Sequence, residues 1–156
     1  MATVPERERE LQRKKLLGWG FALAPIDGAD DLSRDLVIAN NTLARVEGIA
    51  NLGQDLTVAL TTLLTGDVFN VDFGFDGINA LAEETSPILV QERVRISVVT
   101  LLQKDPRVRR IIDVQLEDGR LIHPGAGTRE LDVRVVFETV TADTQTIDLG
   151  KVDPNG

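Results

Sequence analysis

The chain of 156 residues is 42% hydrophobic and 27% charged, which is enough for one domain with a real core plus a tail. It has no cysteine and one histidine, so a disulfide framework, a thiolate metal site, a cysteine nucleophile and a histidine cluster for zinc are excluded. A formal charge of −8 argues against nucleic acid as the main partner. No apolar run approaches the roughly 20 residues of a membrane span, and the N-terminus is too charged for a secretory signal.

Residues 1–17 carry Glu6/Arg9 and Glu10/Arg13 at helical-neighbour spacing but too few apolar positions for a buried face. The expectation is a mobile arm, or a helix ordered only by a partner. Gly18-Trp19-Gly20-Phe21 holds the only tryptophan. This aromatic pair either anchors the arm to a neighbouring subunit or packs back on its own domain. After a loop-like stretch over 24–34, residues 36–39 and 42–46 flank Asn40-Asn41. Asparagine tolerates positive φ, so the pattern predicts a tight hairpin. A helix then opens at Asn51 or Gly53, with Leu52, Leu56, Ala59, Leu60, Leu63 and Leu64 as its apolar positions. Thr65-Gly66-Asp67 closes it.

Residues 68–77 contain three of the five phenylalanines, which predicts a loop pinned into the core by Phe69, Phe73 and Phe75. A short helix follows over 78–83. The stretch 86–117 reads as a helix, a break and a strand. Ser86 suits an N-cap, Pro87 a first turn, and Val90, Val94, Val98, Leu101 and Leu102 recur at helical spacing. Val94, Ile96 and Val98 also alternate, so a strand fits the pattern too, but the length of the apolar run favours the helix. Pro106 ends that helix, and Ile112, Val114 and Leu116 then alternate. Beyond a long connection with Asp118-Gly119 and Pro124-Gly125, Leu131, Val133, Val135 and Phe137 alternate as one face of a half-buried strand. A turn at 141–144 leads to a final short strand over 146–149. The sum is an α+β fold: two main helices packed on a small antiparallel sheet, with an N-terminal hairpin and arm. Residues 1–35 form the arm and loop, 36–149 the domain, and 150–156 a flexible tail.

Charge is segregated along the chain. Residues 46–92 hold eight acids and no Lys or Arg, while 93–110 hold six bases and one acid, Asp105. This fits either two solvated faces that happen to differ, or two docking faces of opposite sign that steer ordered assembly.

Catalytic chemistry finds little footing. Glu83-Glu84, near Asp72 and Asp76, is the only acidic group resembling a glycosidase pair, and adjacent glutamates diverge on any regular element. His123 stands in a Pro/Gly-rich loop without a Ser, Cys or carboxylate at a useful spacing. Gly74-Phe75-Asp76-Gly77 lacks the Lys-Ser/Thr ending of a phosphate loop. Arg107, Arg109 and Arg110 have no interleaved aromatics to stack on bases. No catalytic residue, metal or cofactor is expected.

Taken in order, the hairpin, Gly48-Ile49-Ala50-Asn51-Leu52, the helix ending Leu63-Leu64-Thr65, Asn70-Val71-Asp72-Phe73-Gly74, and a long helix broken at Asp105-Pro106-Arg107 resemble a known family. It is that of the small baseplate wedge proteins of contractile phage tails, with the sheath initiators of extracellular contractile injection systems and a type VI secretion baseplate subunit. The resemblance covers about 36–149. Asn70 to Gly74 is similar to the family's loop ending in Pro-x-Phe-Gly, with Val71 in place of proline. Asp105-Pro106-Arg107 is similar to its Glu-Pro-Arg motif, with Asp105 in place of glutamate. Residues 65–68 are short and acidic where many relatives carry a longer basic loop, and 1–35 lie outside the resemblance.

The resemblance implies a structural role. Six copies would stand around the tail axis, joining baseplate wedge subunits to the first ring of sheath protein and templating its assembly; the arm, outside the resemblance, is separately expected to contact a neighbouring subunit, with tube or hub subunits as candidates. The protein would be cytoplasmic during assembly and then part of a baseplate, without membrane contact. The resemblance also implies that Asp105, Pro106 and Arg107, with Arg109 and Arg110, grip the helical core bundle of the wedge. Arg107 would be the charged fork, Asp105 its orienter and Pro106 the fixed turn. Phe69, Phe73 and Gly74 would anchor the loop. The strands carrying Leu131, Val133, Val135 and Phe137, and Thr146, Ile147 and Leu149, would bind sheath, an edge strand accepting one from another chain. Some relatives are labelled lysozyme-like, so a peptidoglycan-cleaving enzyme using Glu83 or Glu84 is the alternative, as is a generic protein-binding adaptor.

Overall fold

A computed structural model describes residues 4–26, 34–83, 86–118 and 131–152. Glu84 and His123 lie outside them. The alternation of Val133, Val135 and Phe137 produces the central element. β8 (Leu131–Thr139) pairs antiparallel with β7 (Val108–Asp118) on one side and β9 (Thr144–Val152) on the other. Its three inward side chains are buried, and Ile147 of β9 and Val114 of β7 join them. One part of the expected β7 face is corrected. Register shifts between Val108/Arg110 and Ile111/Asp113 turn Ile111 toward the core and leave Ile112 half exposed. A bulge adds one residue, and one residue reverses the pleat.

Two helices cover this sheet, and the fold is α+β. α4 (Pro87–Lys104) buries Val90, Val94, Val98, Leu101 and Leu102, so helical periodicity prevails over the alternating strand pattern, and Ile96 points to solvent. Pro87 occupies the first turn, while the Ser86 hydroxyl makes no capping bond. α2 (Ile49–Thr61) buries Leu52, Leu56, Ala59 and Leu60 but stops before Leu63 and Leu64. Backbone bonds explain the early stop. The Phe75 N–H donates to the Thr62 carbonyl at 2.8 Å, and the Leu64 N–H donates to the Phe75 carbonyl at 3.2 Å. The returning loop therefore takes the polar groups that another helical turn would have used. α3 (Gly77–Glu83) lies between.

The N-terminal segment departs from expectation. α1 (Val4–Leu17) is helical and docks on its own chain: Leu17 is fully buried, Arg13 ion-pairs with Asp143, and the Lys14 ammonium lies 3.0 Å from Glu47. The missing apolar face is replaced by one buried leucine and two ion pairs.

Six short strands follow: β1 (Trp19–Phe21), β2 (Leu23–Pro25), β3 (Arg34–Leu36), β4 (Ile38–Ala39), β5 (Thr42–Leu43) and β6 (Arg45–Glu47). They pair as β1 with β6, β2 with β3, and β4 with β5. The β4–β5 turn is the expected hairpin, with Asn40 at φ 51° and Asn41 at φ 60°. The three ladders meet in a closed ring of backbone bonds: Ala22 N–H to Ala44 O at 2.9 Å, Ala44 N–H to Val37 O at 2.8 Å, and Val37 N–H to Ala22 O at 2.9 Å. The aromatic pair stays on this ribbon. Trp19 meets Phe21 edge-on at 6.1 Å, and the Arg45 guanidinium sits 4.0 Å from the Trp19 ring centroid. Among the described residues, no helix is long and apolar enough to cross a membrane.

Candidate binding groove

Tertiary structure cancels much of the charge segregation. Arg93 pairs with Asp76 at 3.2 Å and Glu83 at 2.8 Å, and Arg107 pairs with Asp55 at 2.8 Å. At these points the acidic and basic segments face each other within one chain, and Asp55, Asp76 and Glu83 are matched there by Arg93 and Arg107. Glu83 is exposed and shares Arg93 with Asp76, while Glu84 lies outside the described residues.

The densest meeting point is Arg107. Asp105 closes α4, and its Oδ1 accepts the Arg107 N–H at 2.9 Å, which holds the tight turn through Pro106. The same carboxylate takes the guanidinium side-on, with Nε–Oδ1 at 2.9 Å and Nη2–Oδ2 at 2.6 Å. Nη1 then reaches Asp55 on α2 at 2.8 Å and the Leu17 carbonyl at the end of α1 at 3.1 Å. Asn51, one turn before Asp55, is buried and donates to the same Leu17 carbonyl and the same Asp55 carboxylate, each at 3.1 Å. One arginine thus ties three helices together. Its hydrogen bond to Asp105 outweighs burial and raises the guanidinium further above its ordinary range, with Asp55 adding to the effect. Burial pushes the Asp105 carboxyl up, but the hydrogen bonds and charge of Arg107 hold it below its usual value.

This node forms one wall of a groove of about 550 Å³. Its lining includes the buried Leu56, Ala59 and Leu101 together with Phe73 and Gly74, and the exposed Asp72 and Lys104 stand at its rim. The Lys104 ammonium reaches the Asp72 carbonyl at 3.3 Å. Gly74 is obligatory here: its φ is 112°, and a Cβ would stand 2.7 Å from the Leu63 carbonyl oxygen. The groove combines apolar lining with a few fixed polar and charged groups, the make-up of a binding site.

The other expected site residues distribute differently. Asp105, Pro106 and Arg107 line the groove, but Arg109 and Arg110 do not. Both reach across to Glu138 on β8, at 3.0 Å and 2.6 Å. The expected loop anchors divide as well. Phe75 is buried and Phe73 packs against the core, whereas Phe69 is 98% exposed, because the turn begun by Asp67 points its side chain away from the domain.

The sheath-binding strands also need correction. β8 is paired on both sides, so its Val133, Val135 and Phe137 serve the core and offer no open edge. β9, with Thr146 and Ile147, is an edge strand of the sheet, as is β7. The side chains of Leu131 and Leu149 lie outside the described ones. Sequence reasoning did not select Asp55, Asn51 or Glu138. The available signal for the first two was a pair of polar residues at i, i+4 spacing beside the apolar stripe of α2.

No protein-family model matches the chain, and no curated protein matches it.

Proposed function

We propose that this chain is a non-catalytic structural component of the baseplate of a contractile tail or injection system. In this reading the groove receives the helical core of the wedge subunits, and the β9 edge receives sheath. Six copies would stand around the axis, joining the wedges to the first sheath ring of a particle assembled in the cytoplasm. One observation carries the reading. Asp72, Phe73 and Gly74 of the first motif and Asp105, Pro106 and Arg107 of the second are far apart in sequence but line one groove. Two sequence motifs that converge on one surface are more telling than either alone.

The arrangement assigns different tasks to the motif residues. Arg107 is engaged within its own chain, so its contribution to a partner is indirect: it holds the groove wall in place. Lys104 and Asp72 at the rim, and the face of Phe73, are the groups available to a partner. The test is co-expression with the wedge, tube and sheath subunits of a contractile system, followed by imaging of the particles. The expected result is six copies per baseplate, and short or absent sheaths when the chain is deleted. Full-length sheaths on baseplates lacking it would overturn the proposal. Lys104→Glu should weaken incorporation while leaving the fold intact, because that side chain's contact lies at the rim.

A further inference from the structure

Between α2 and α3 the chain presents Phe69 almost wholly to water, with Val68 and Val71 exposed beside it. Three neighbouring apolar side chains at one loop tip form an exposed patch of the kind that marks an interaction site. The tip is preformed. Asp67 Oδ1 accepts the Phe69 N–H at 2.9 Å, the Asp67 carbonyl accepts the Asn70 N–H at 3.2 Å, and the Asn70 carbonyl accepts the Phe73 N–H at 3.0 Å. Seating such a knob costs little ordering entropy. Asp67 and Asp72 flank it as acids, and a base, Lys104, lies beside them, 3.3 Å from the Asp72 carbonyl.

Elsewhere on the molecule, a second groove of about 620 Å³ runs between α4 and β7. Val99, Val108, Ile111 and Ile112 supply apolar lining, while Arg95, Arg109 and Arg110 stand around it. Asp113 is the acid in this lining, and the single carboxylate of Glu138 serves both Arg109 and Arg110. The side chains of Arg109 and Arg110 are 61% and 68% exposed, so they can still reach an incoming carboxylate. The knob is apolar with acidic flanks, and this groove is apolar with a basic rim.

We propose that the Phe69 knob of one copy seats in the α4–β7 groove of a second copy. The ring would pack on Val99 and Ile112, while Asp67 and Asp72 meet Arg109 and Arg110. Knob and groove are different surfaces. The contact is therefore either reciprocal within a closed pair, or head-to-tail and able to close a ring or extend a chain. It buries little area and belongs to the weak class of interfaces, effective where copies are already concentrated. It rests on shape and charge and is independent of the baseplate reading.

The absence of cysteine makes the test clean. Asn70→Cys, beside the knob, and Gln103→Cys, in the lining of the groove, are placed together in the full-length chain, both at exposed positions, so that Phe69 and Ile112 are kept. The protein is oxidised gently at high concentration, and the linked peptides are identified by mass spectrometry. The expected result is intermolecular linkage of position 70 to position 103 at least about tenfold faster than in an Asn70→Cys/Lys15→Cys control, since docking raises the effective concentration of one thiol near the other. Added salt, or Phe69→Ala in the same background, should slow it. Equal rates in the two pairs would overturn the proposal. So would linkage dominated by two copies of position 70 joining each other.

Discussion

Arg107 and Asp105 form a side-on pair across the turn that ends α4, with Nη2–Oδ2 at 2.6 Å, and the same carboxylate also accepts the Arg107 backbone N–H at 2.9 Å. The short aspartate side chain thus does two things at once. It fixes the turn through Pro106 and aims the guanidinium at Asp55 and the Leu17 carbonyl. A residue picked out as a contact for another subunit is therefore also a structural tie of its own domain.

Replacing it should cost stability. Arg107→Ala leaves Asp105, Asp55 and the Leu17 carbonyl without their shared donor, and we expect a loss of about 2–4 kcal/mol. Arg107→Lys keeps the charge but not the fork and should recover only part of it. Urea unfolding monitored by circular dichroism reads both. An unchanged midpoint for Arg107→Ala would refute the structural role.

The aromatic residues should separate sharply. Phe137 is fully buried in the sheet core, so Phe137→Ala should cost about 3–5 kcal/mol. Phe69 stands in solvent, so Phe69→Ala should stay within about 0.5 kcal/mol of the parent. Thermal melts of the two variants provide the comparison, and similar losses would contradict the outward orientation of the loop.

Two glycines should respond with opposite sign. At Gly74 the positive φ and the nearby Leu63 carbonyl leave no room for a methyl group, so Gly74→Ala should destabilise by about 2–3 kcal/mol. Gly53 lies inside α2, where a Cβ would meet nothing within 4 Å, so Gly53→Ala should stabilise by about 0.5–1 kcal/mol. Denaturation midpoints shifting in the same direction would disprove this pair of assignments.

Acid should loosen the tie between α1 and the β8–β9 turn. The hydrogen bond from Arg13 is the largest influence on Asp143 and holds its carboxyl below the usual value; the Asp105 carboxyl is also held low by Arg107. A carboxylate whose folded value is depressed contributes stability above its unfolded value, near pH 4, and loses it as the pH falls through the lower folded value. Stability should therefore decline below about pH 4, and Asp143→Asn should flatten part of that decline. Hydrogen exchange of α1 amides across this range is the direct measurement. Protection of α1 that is independent of pH in the parent chain would contradict the role given to Arg13 and Asp143.

The elements whose signal is local were legible in the sequence. Val133, Val135 and Phe137 specified a strand because alternation alone decides which face is buried, and Val90 to Leu102 specified a helix because its apolar period runs past the length of a strand. Asn40-Asn41 specified the hairpin through the positive φ that asparagine accepts. What depended on distant partners was not legible. Whether β8 lies at the centre or edge of the sheet depends on which strands flank it. Whether α1 docks depends on Asp143 and Glu47, far along the chain.

The same division holds for the stretch 86–117. Sequence by itself determined its helix, its break at Asp105-Pro106-Arg107 and its basic character, because apolar period, proline chemistry and composition act over a few residues. Only tertiary structure decided where that charge is spent. Arg93 faces Asp76 and Glu83, Arg107 faces Asp55, and Arg109 and Arg110 share Glu138. Charges act through space across distances that the order of residues does not encode, so a cluster that reads as exposed along the chain can be matched once the chain is folded.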